Sequence, residues 1–203
     1  MSRANARSVV FHQNSDYRAF ERLMSRANDR LPMRILAWCL MPTHFHFVLW
    51  PYRDGDLSRW MHWLLTAHVH QHRRRHNTVG RIWQGRFKAP PIQQDHHLLT
   101  VLRYVERNPL RSRLVDCAED WCWSSLRARV TNSGSLLTAS PVLLPKNWRE
   151  LVNEPLTEAE RASVRESMRR GRPYGDRAWL SRTAELLGLS RSLRSRGRPP
   201  NRR

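Results

Sequence analysis

The chain has 203 residues, enough for one domain of ordinary size with an appendage and too few for two full domains. Lys and Arg number 36 against 17 Asp and Glu, a formal net charge of +19 that costs self-repulsion unless a polyanion is the partner. Cys39, Cys117 and Cys122 are odd in number and form no C-x-x-C pair, so neither a disulfide framework nor a cysteine zinc site is indicated. Nine Trp, several beside Arg or Lys, suit stacking on bases, so nucleic acid is the leading partner. Residues 1–5 lack the apolar core of a signal peptide, and no run approaches the ~18 apolar residues of a membrane span. A cytoplasmic protein with no membrane partner is expected.

Ser8-Val9-Val10-Phe11 has the composition of a short strand. Ser15-Asp16 can cap a helix whose apolar face is Tyr17, Phe20, Leu23 and Met24, running to Arg30 and stopped by Pro32. Residues 33–40 then read as a strand, and the Met41-Pro42-Thr43 corner turns it into a second, ending at Pro51. On that second strand His44 and His46 are two apart and share a face, with Phe45, Phe47 and Leu49 opposite. Two imidazoles so placed can hold one divalent ion and leave its other positions open for oxygen ligands.

A long helix follows over 57–75. Its end carries His68, His72 and His76 at helical spacing, which can be drawn as a second metal site, although no carboxylate joins them and a cationic helix end is the simpler account. Residues 82–88 are basic and interleaved with aromatics, and are expected to end as a strand. Asp95 caps a helix through Leu98, Leu102, Tyr104 and Asn108, stopped by Pro109. This order of elements indicates an α+β fold with helices on a mostly antiparallel sheet. Residues 1–130 form the expected domain, 131–154 a linker, and 155–203 a basic helical extension whose last fourteen residues are expected to be disordered when free. Arg-Gly-Arg-Pro occurs at 170–173 and again at 196–199. An extended arginine segment entering a minor groove and, for the first copy, a helix C-cap followed by proline account for it equally well.

Tyr104 and Asn108 are four apart on the predicted helix and face the same way. If that face meets the histidine strand, Asn108 can add an oxygen ligand while Tyr104 turns its hydroxyl toward a phosphate. Metal-assisted transesterification needs this set of groups, with the phenolate as nucleophile. Acidic-triad chemistry is disfavoured, because Asp54, Asp56, Asp95, Glu106 and Asp116 show no compelling grouping.

Four segments in order carry a family resemblance: residues 41–46 (MPTHFH), 83–88 (WQGRFK), 104–115 (YVERNPLRSRLV) and 121–125 (WCWSS). Together they strongly resemble the REP-associated tyrosine transposases of the single-tyrosine HUH superfamily. The resemblance implies a ferredoxin-like (RRM-like) antiparallel sheet with helices on one face, plus the basic C-terminal extension. It implies His44 and His46 as metal ligands with Asn108, Tyr104 as nucleophile, and Mg²⁺ or Mn²⁺ as cofactor. The implied activity is cleavage and rejoining of single-stranded, hairpin-containing DNA through a 5′-phosphotyrosine, by a nucleoid-associated monomer or homodimer. DNA contacts are expected from Trp83, Gln84, Arg86, Lys88, Arg103, Arg107, Arg111 and Arg113, and from Arg170, Arg172, Arg196 and Arg198 in the extension. Relatives carry a full strand before the segment matching residues 3–11, so the first strand is expected to be truncated. The alternative is a non-catalytic DNA- or RNA-binding protein.

Overall fold

A computed structural model describes residues 1–133 and 136–194. The elements run β1 (Ser2–Arg3), α1 (Asn14–Arg30), β2 (Arg34–Met41), β3 (His44–Trp50), α2 (Asp56–His76), α3 (His96–Glu106), α4 (Asn108–Arg111), α5 (Ser125–Val130), α6 (Trp148–Asn153), α7 (Glu158–Arg170) and α8 (Arg177–Leu186). The strands form one antiparallel sheet in the order β1-β3-β2.

Helix α1 starts through a capping box. Asp16 sits inside its first turn and accepts the backbone N–H groups of His12 at 2.9 Å and Gln13 at 3.2 Å. It ends at Leu31, forced into extended geometry by the proline that follows. The β2–β3 hairpin pairs Met41 with His44 and Arg34 with Trp50, with a bulge between Ile35 and Ala37. Every residue from Ile35 to Met41 is buried, which happens when a strand is covered on both faces.

Helices do cover both faces, where one face was expected. Phe20, Met24, Trp60 and Leu64 of α1 and α2 pack on Ile35, Trp38, Leu40 and Phe45. On the opposite face Leu98, Leu102 and Val105 of α3 meet Ala37, Cys39, Met41 and Val48, together with Leu126, Trp148, Val152 and Val164 from later helices. Residues 131–154 therefore do more than link. They contain α6, whose Trp148 and Val152 belong to the second core, and Val164 brings the extension's α7 into it as well.

The first strand is not where residues 8–11 suggested. Val10 and Phe11 donate their N–H groups to Pro42 O at 2.8 and 3.2 Å, and Phe11 points into the core, while the pairing with β3 is made by Ser2 and Arg3. Residues 82–88 lie along the other side of β1 without becoming a strand. Asn5 N–H reaches Ile82 O, Gln84 N–H reaches Arg3 O and Lys88 N–H reaches Met1 O, all at 2.8 to 2.9 Å. Gly85, with φ of +65°, breaks the extended run between them. Beyond Ser2 the strand β3 continues to Trp50 beside an apolar groove of about 340 Å³, lined by Trp50, Phe87, Ile92, Leu98 and Tyr104.

One buried carboxylate ties the second core together. Glu106, fully buried on α3, accepts from the Ser125 hydroxyl, from Arg129 Nε at 2.9 Å and from Trp148 Nε1 at 2.7 Å. Removing one partner of such a set leaves the other charge buried and unpaired. Glu106→Ala should therefore lose about 3 to 5 kcal/mol of stability, read as a lower midpoint in urea unfolding, whereas a loss under 1 kcal/mol would contradict this role.

Candidate active site

The pleat of β3 sends Phe45 and Phe47 to the α1/α2 core and turns His44, His46 and Val48 toward α3. The two imidazole centroids are 5.1 Å apart with rings at 80°. His44 Nδ1 lies 3.1 Å from Thr43 Oγ1. Burial lowers the His44 pKa to about 4, assisted by the charges of Arg3 and Arg111. Burial also pushes His46 well below the usual histidine range, with the neighbouring His44 as the next cause. Both rings are thus neutral near pH 7, which is the form that ligates metal.

Helix α3 delivers Tyr104 to this pair. Its ring centroid is 5.9 Å from that of His46, edge to face at 80°, and the Arg111 guanidinium lies 5.9 Å from the same ring. Asn108, one turn on and fully buried, donates from Nδ2 to Tyr104 O at 3.0 Å and accepts from Arg111 Nη2 at 2.6 Å. Tyr104, Asn108 and Arg111 therefore form one bonded unit across the α3–α4 junction.

His46 and Tyr104 open into a cavity of about 460 Å³ walled by Arg3, Arg86, Lys88, Arg111, Arg165 and Arg169. Six basic side chains surround one tyrosine and one histidine, and although Arg169 is paired with Glu166 at 2.6 Å, the lining is strongly positive and suits a phosphate chain. Gln84 lines it too. Arg3, Arg165 and Arg169 were missed by sequence reasoning. The last two are four apart on α7 and so share a face, a signal visible only once α7 is known to fold back onto this site.

Other expected DNA contacts lie elsewhere. Trp83 is buried, with its ring 5.1 Å from Phe45 and 5.1 Å from His68, and its stacking surface is spent on the core. Arg103 Nε donates to Leu151 O at 2.6 Å, and Arg107 Nη1 donates to the carbonyls of Val152 and Asn153, so both guanidinium groups satisfy the end of α6. Arg113 is exposed in a left-handed turn with φ of +56°. Arg170 bonds Glu166 at 3.4 Å, and Gly171, with φ of +68°, caps α7 before Arg172, which is the C-cap reading of the first Arg-Gly-Arg-Pro copy. Arg196 and Arg198 fall outside the described residues.

The donor set suits a divalent ion. Two neutral imidazoles share one strand face, and the Asn108 carbonyl oxygen, with one lone pair engaged by Arg111, retains a second.

A family profile described as "Transposase IS200 like" matches residues 1–108, from β1 through the tyrosine helix to Asn108. A protein of Haemophilus influenzae named "Putative REP-associated tyrosine transposase" is 27% identical over 113 residues, covering 50% of this chain and 64% of that protein's length. A solved structure titled "Structure of the REP associates tyrosine transposase bound to a REP hairpin" superposes with a TM-score of 0.54 at 21% identity, covering 68% of this chain and 79% of the other, which is a likeness of fold. No helix among the described residues is long and apolar enough to cross a membrane. With more than half of its length matched to the profile, and the histidine pair and tyrosine inside the match, the chain belongs to the IS200-like transposase family.

Proposed function

We propose that this protein is a REP-associated tyrosine transposase with a ferredoxin-like catalytic domain, cleaving and rejoining single-stranded DNA that contains a hairpin. The observation that carries the reading is the 5.9 Å approach of the Tyr104 and His46 rings at the mouth of a cation-walled cavity. In the proposed reaction the Tyr104 oxygen attacks the phosphorus of a phosphodiester, with its proton passing to solvent. A phosphorus–oxygen bond forms to the tyrosine as the bond to the preceding nucleotide's 3′ oxygen breaks, and that oxygen leaves as a hydroxyl. The 5′ phosphate remains on Tyr104, so the bond energy is kept and no ATP is required. Attack by a 3′-hydroxyl on this phosphotyrosine reverses the step and rejoins DNA.

His44, His46 and Asn108 would hold Mg²⁺ or Mn²⁺, which when bound supplies charge withdrawal from the scissile phosphate. Arg111 fixes the Asn108 oxygen and presents positive charge beside the Tyr104 ring. Arg3, Arg86, Lys88 and Arg165, which line the cavity, would hold the flanking phosphates in register, while Arg169 is paired with Glu166. Trp83 and Phe45 support the site from beneath, their rings meeting edge to face across β1 at 5.1 Å.

Incubated with a labelled single-stranded hairpin oligonucleotide and Mg²⁺ or Mn²⁺, the protein should form a denaturation-resistant adduct. Tyr104→Phe should abolish that adduct while leaving gel-shift affinity within about twofold, and His46→Ala should form little adduct whatever the Mg²⁺ or Mn²⁺ concentration. Cleavage persisting in Tyr104→Phe would replace this mechanism with a metal-hydroxide nuclease. Binding to the same oligonucleotide should weaken steeply with salt, and Arg165→Ala should flatten the slope of log K against log salt by about 0.7, the value for one single-strand phosphate contact. An unchanged slope would take α7 off the DNA path.

A further inference from the structure

At the far end of α2 lies a second cluster of imidazoles that the proposed reaction does not use. His72 and His76 are one turn apart on α2, and the chain just before α1 brings His12 against them. One ligand nitrogen from each of the three lies within 4.8 Å of the others. His68, which spacing alone grouped with this pair, instead packs against Phe20 and Trp83, so the third imidazole comes from a different part of the chain.

Two features resemble the outer shell of a metal centre more than the packing of a solvated helix end. His72 is 6% exposed, its Nδ1 lies 3.2 Å from Thr78 Oγ1, and its Nε2 is buried without a hydrogen-bond partner among the described residues. A ring anchored through one nitrogen with the other left bare is how a ligating histidine is oriented. His76 Nε2 lies 3.2 Å from Asp16 Oδ1, leaving Nδ1 for a ligand, and Asp16 also accepts the His12 backbone N–H and the Arg75 guanidinium. Asp16 thus orients the His76 ring, as carboxylate–histidine–metal arrangements do, and fixes the backbone of His12 beside it.

We propose that His12, His72 and His76 form a zinc site that fastens the segment before α1 to the end of α2. Three imidazoles and one water complete a tetrahedral ion, and imidazole donors with no thiolate suit Zn²⁺ better than Mg²⁺. A tetrahedral ion with Zn–N bonds of about 2.0 to 2.1 Å holds its nitrogens roughly 3.4 Å apart, closer than the 4.8 Å within which these three lie, so the rings would draw inward on binding. The same segment donates Val10 and Phe11 N–H groups to Pro42 O, so the ion would steady the corner from which His44 and His46 emerge.

The test is Zn²⁺ titration of the full chain against a competing chelator, with thermal unfolding in parallel. Wild-type protein should bind one more equivalent of Zn²⁺ than His12→Ala, and Zn²⁺ should raise the unfolding temperature of the wild type by more than that of His12→Ala, which keeps the His44/His46 pair. Because His12 is exposed, the metal-free melting temperatures of the two should agree. Thr78→Val, which frees the His72 ring without touching a ligand, should weaken this site 10- to 100-fold. Equal stoichiometry in wild type and His12→Ala would overturn the proposal.

Discussion

The strict two-residue alternation of β3 is the constraint on which the rest of the structure depends. In a strand covered on both sides, each side chain must satisfy one of two cores. Phe45 and Phe47 are claimed by the aromatic core under α1 and α2. His44 and His46 are thereby committed to the face that α3 crosses. A one-residue slip of this register would drive two imidazoles into the phenylalanine cluster and two phenylalanines into the cationic cavity, so hydrophobic packing on one face enforces the chemistry on the other.

Holding α3 against that face takes more than its apolar stripe. Glu106, two residues beyond Tyr104, gathers Ser125, Arg129 and Trp148 from α5 and α6, while Arg103 on the same helix and Arg107 at its C-cap satisfy the carbonyls at the end of α6. Tyr104 thus projects from a helix gripped on its outer side by ionic and hydrogen-bonded contacts. Charges that sequence reasoning assigned to DNA are in part the fastenings of the tyrosine helix. The positive field around the site is supplied instead from β1, residues 84–88, Arg111 and α7.

The hairpin, the histidine pair, the long α2 and the tyrosine helix were legible because each has a local signature: a proline corner, a period of two, a period near 3.6, an aspartate cap. Of the four segments that carried the family resemblance, residues 41–46 and 83–88 lie inside the matched profile, which ends at Asn108 within the third. What was not legible depended on partners far along the chain. Ser2 and Arg3 are too short a strand to show any period, and their pairing is decided by β3 some forty residues away. Trp83 reads as a stacking residue until its neighbours Phe45 and His68 are known. The return of α7 to the cation-lined cavity, and the meeting of His12 with α2, leave no mark in local pattern.

The most direct measurement of the central claim is the broadening of tyrosine ring resonances by Mn²⁺ in protein with selectively labelled tyrosine. Of Tyr17, Tyr52, Tyr104 and Tyr174, the Tyr104 signals should broaden strongly, keep doing so in His12→Ala and be restored in His46→Ala. Tyr104 signals that stay sharp as Mn²⁺ binds the histidine pair would separate the phenol from the ion and contradict the account.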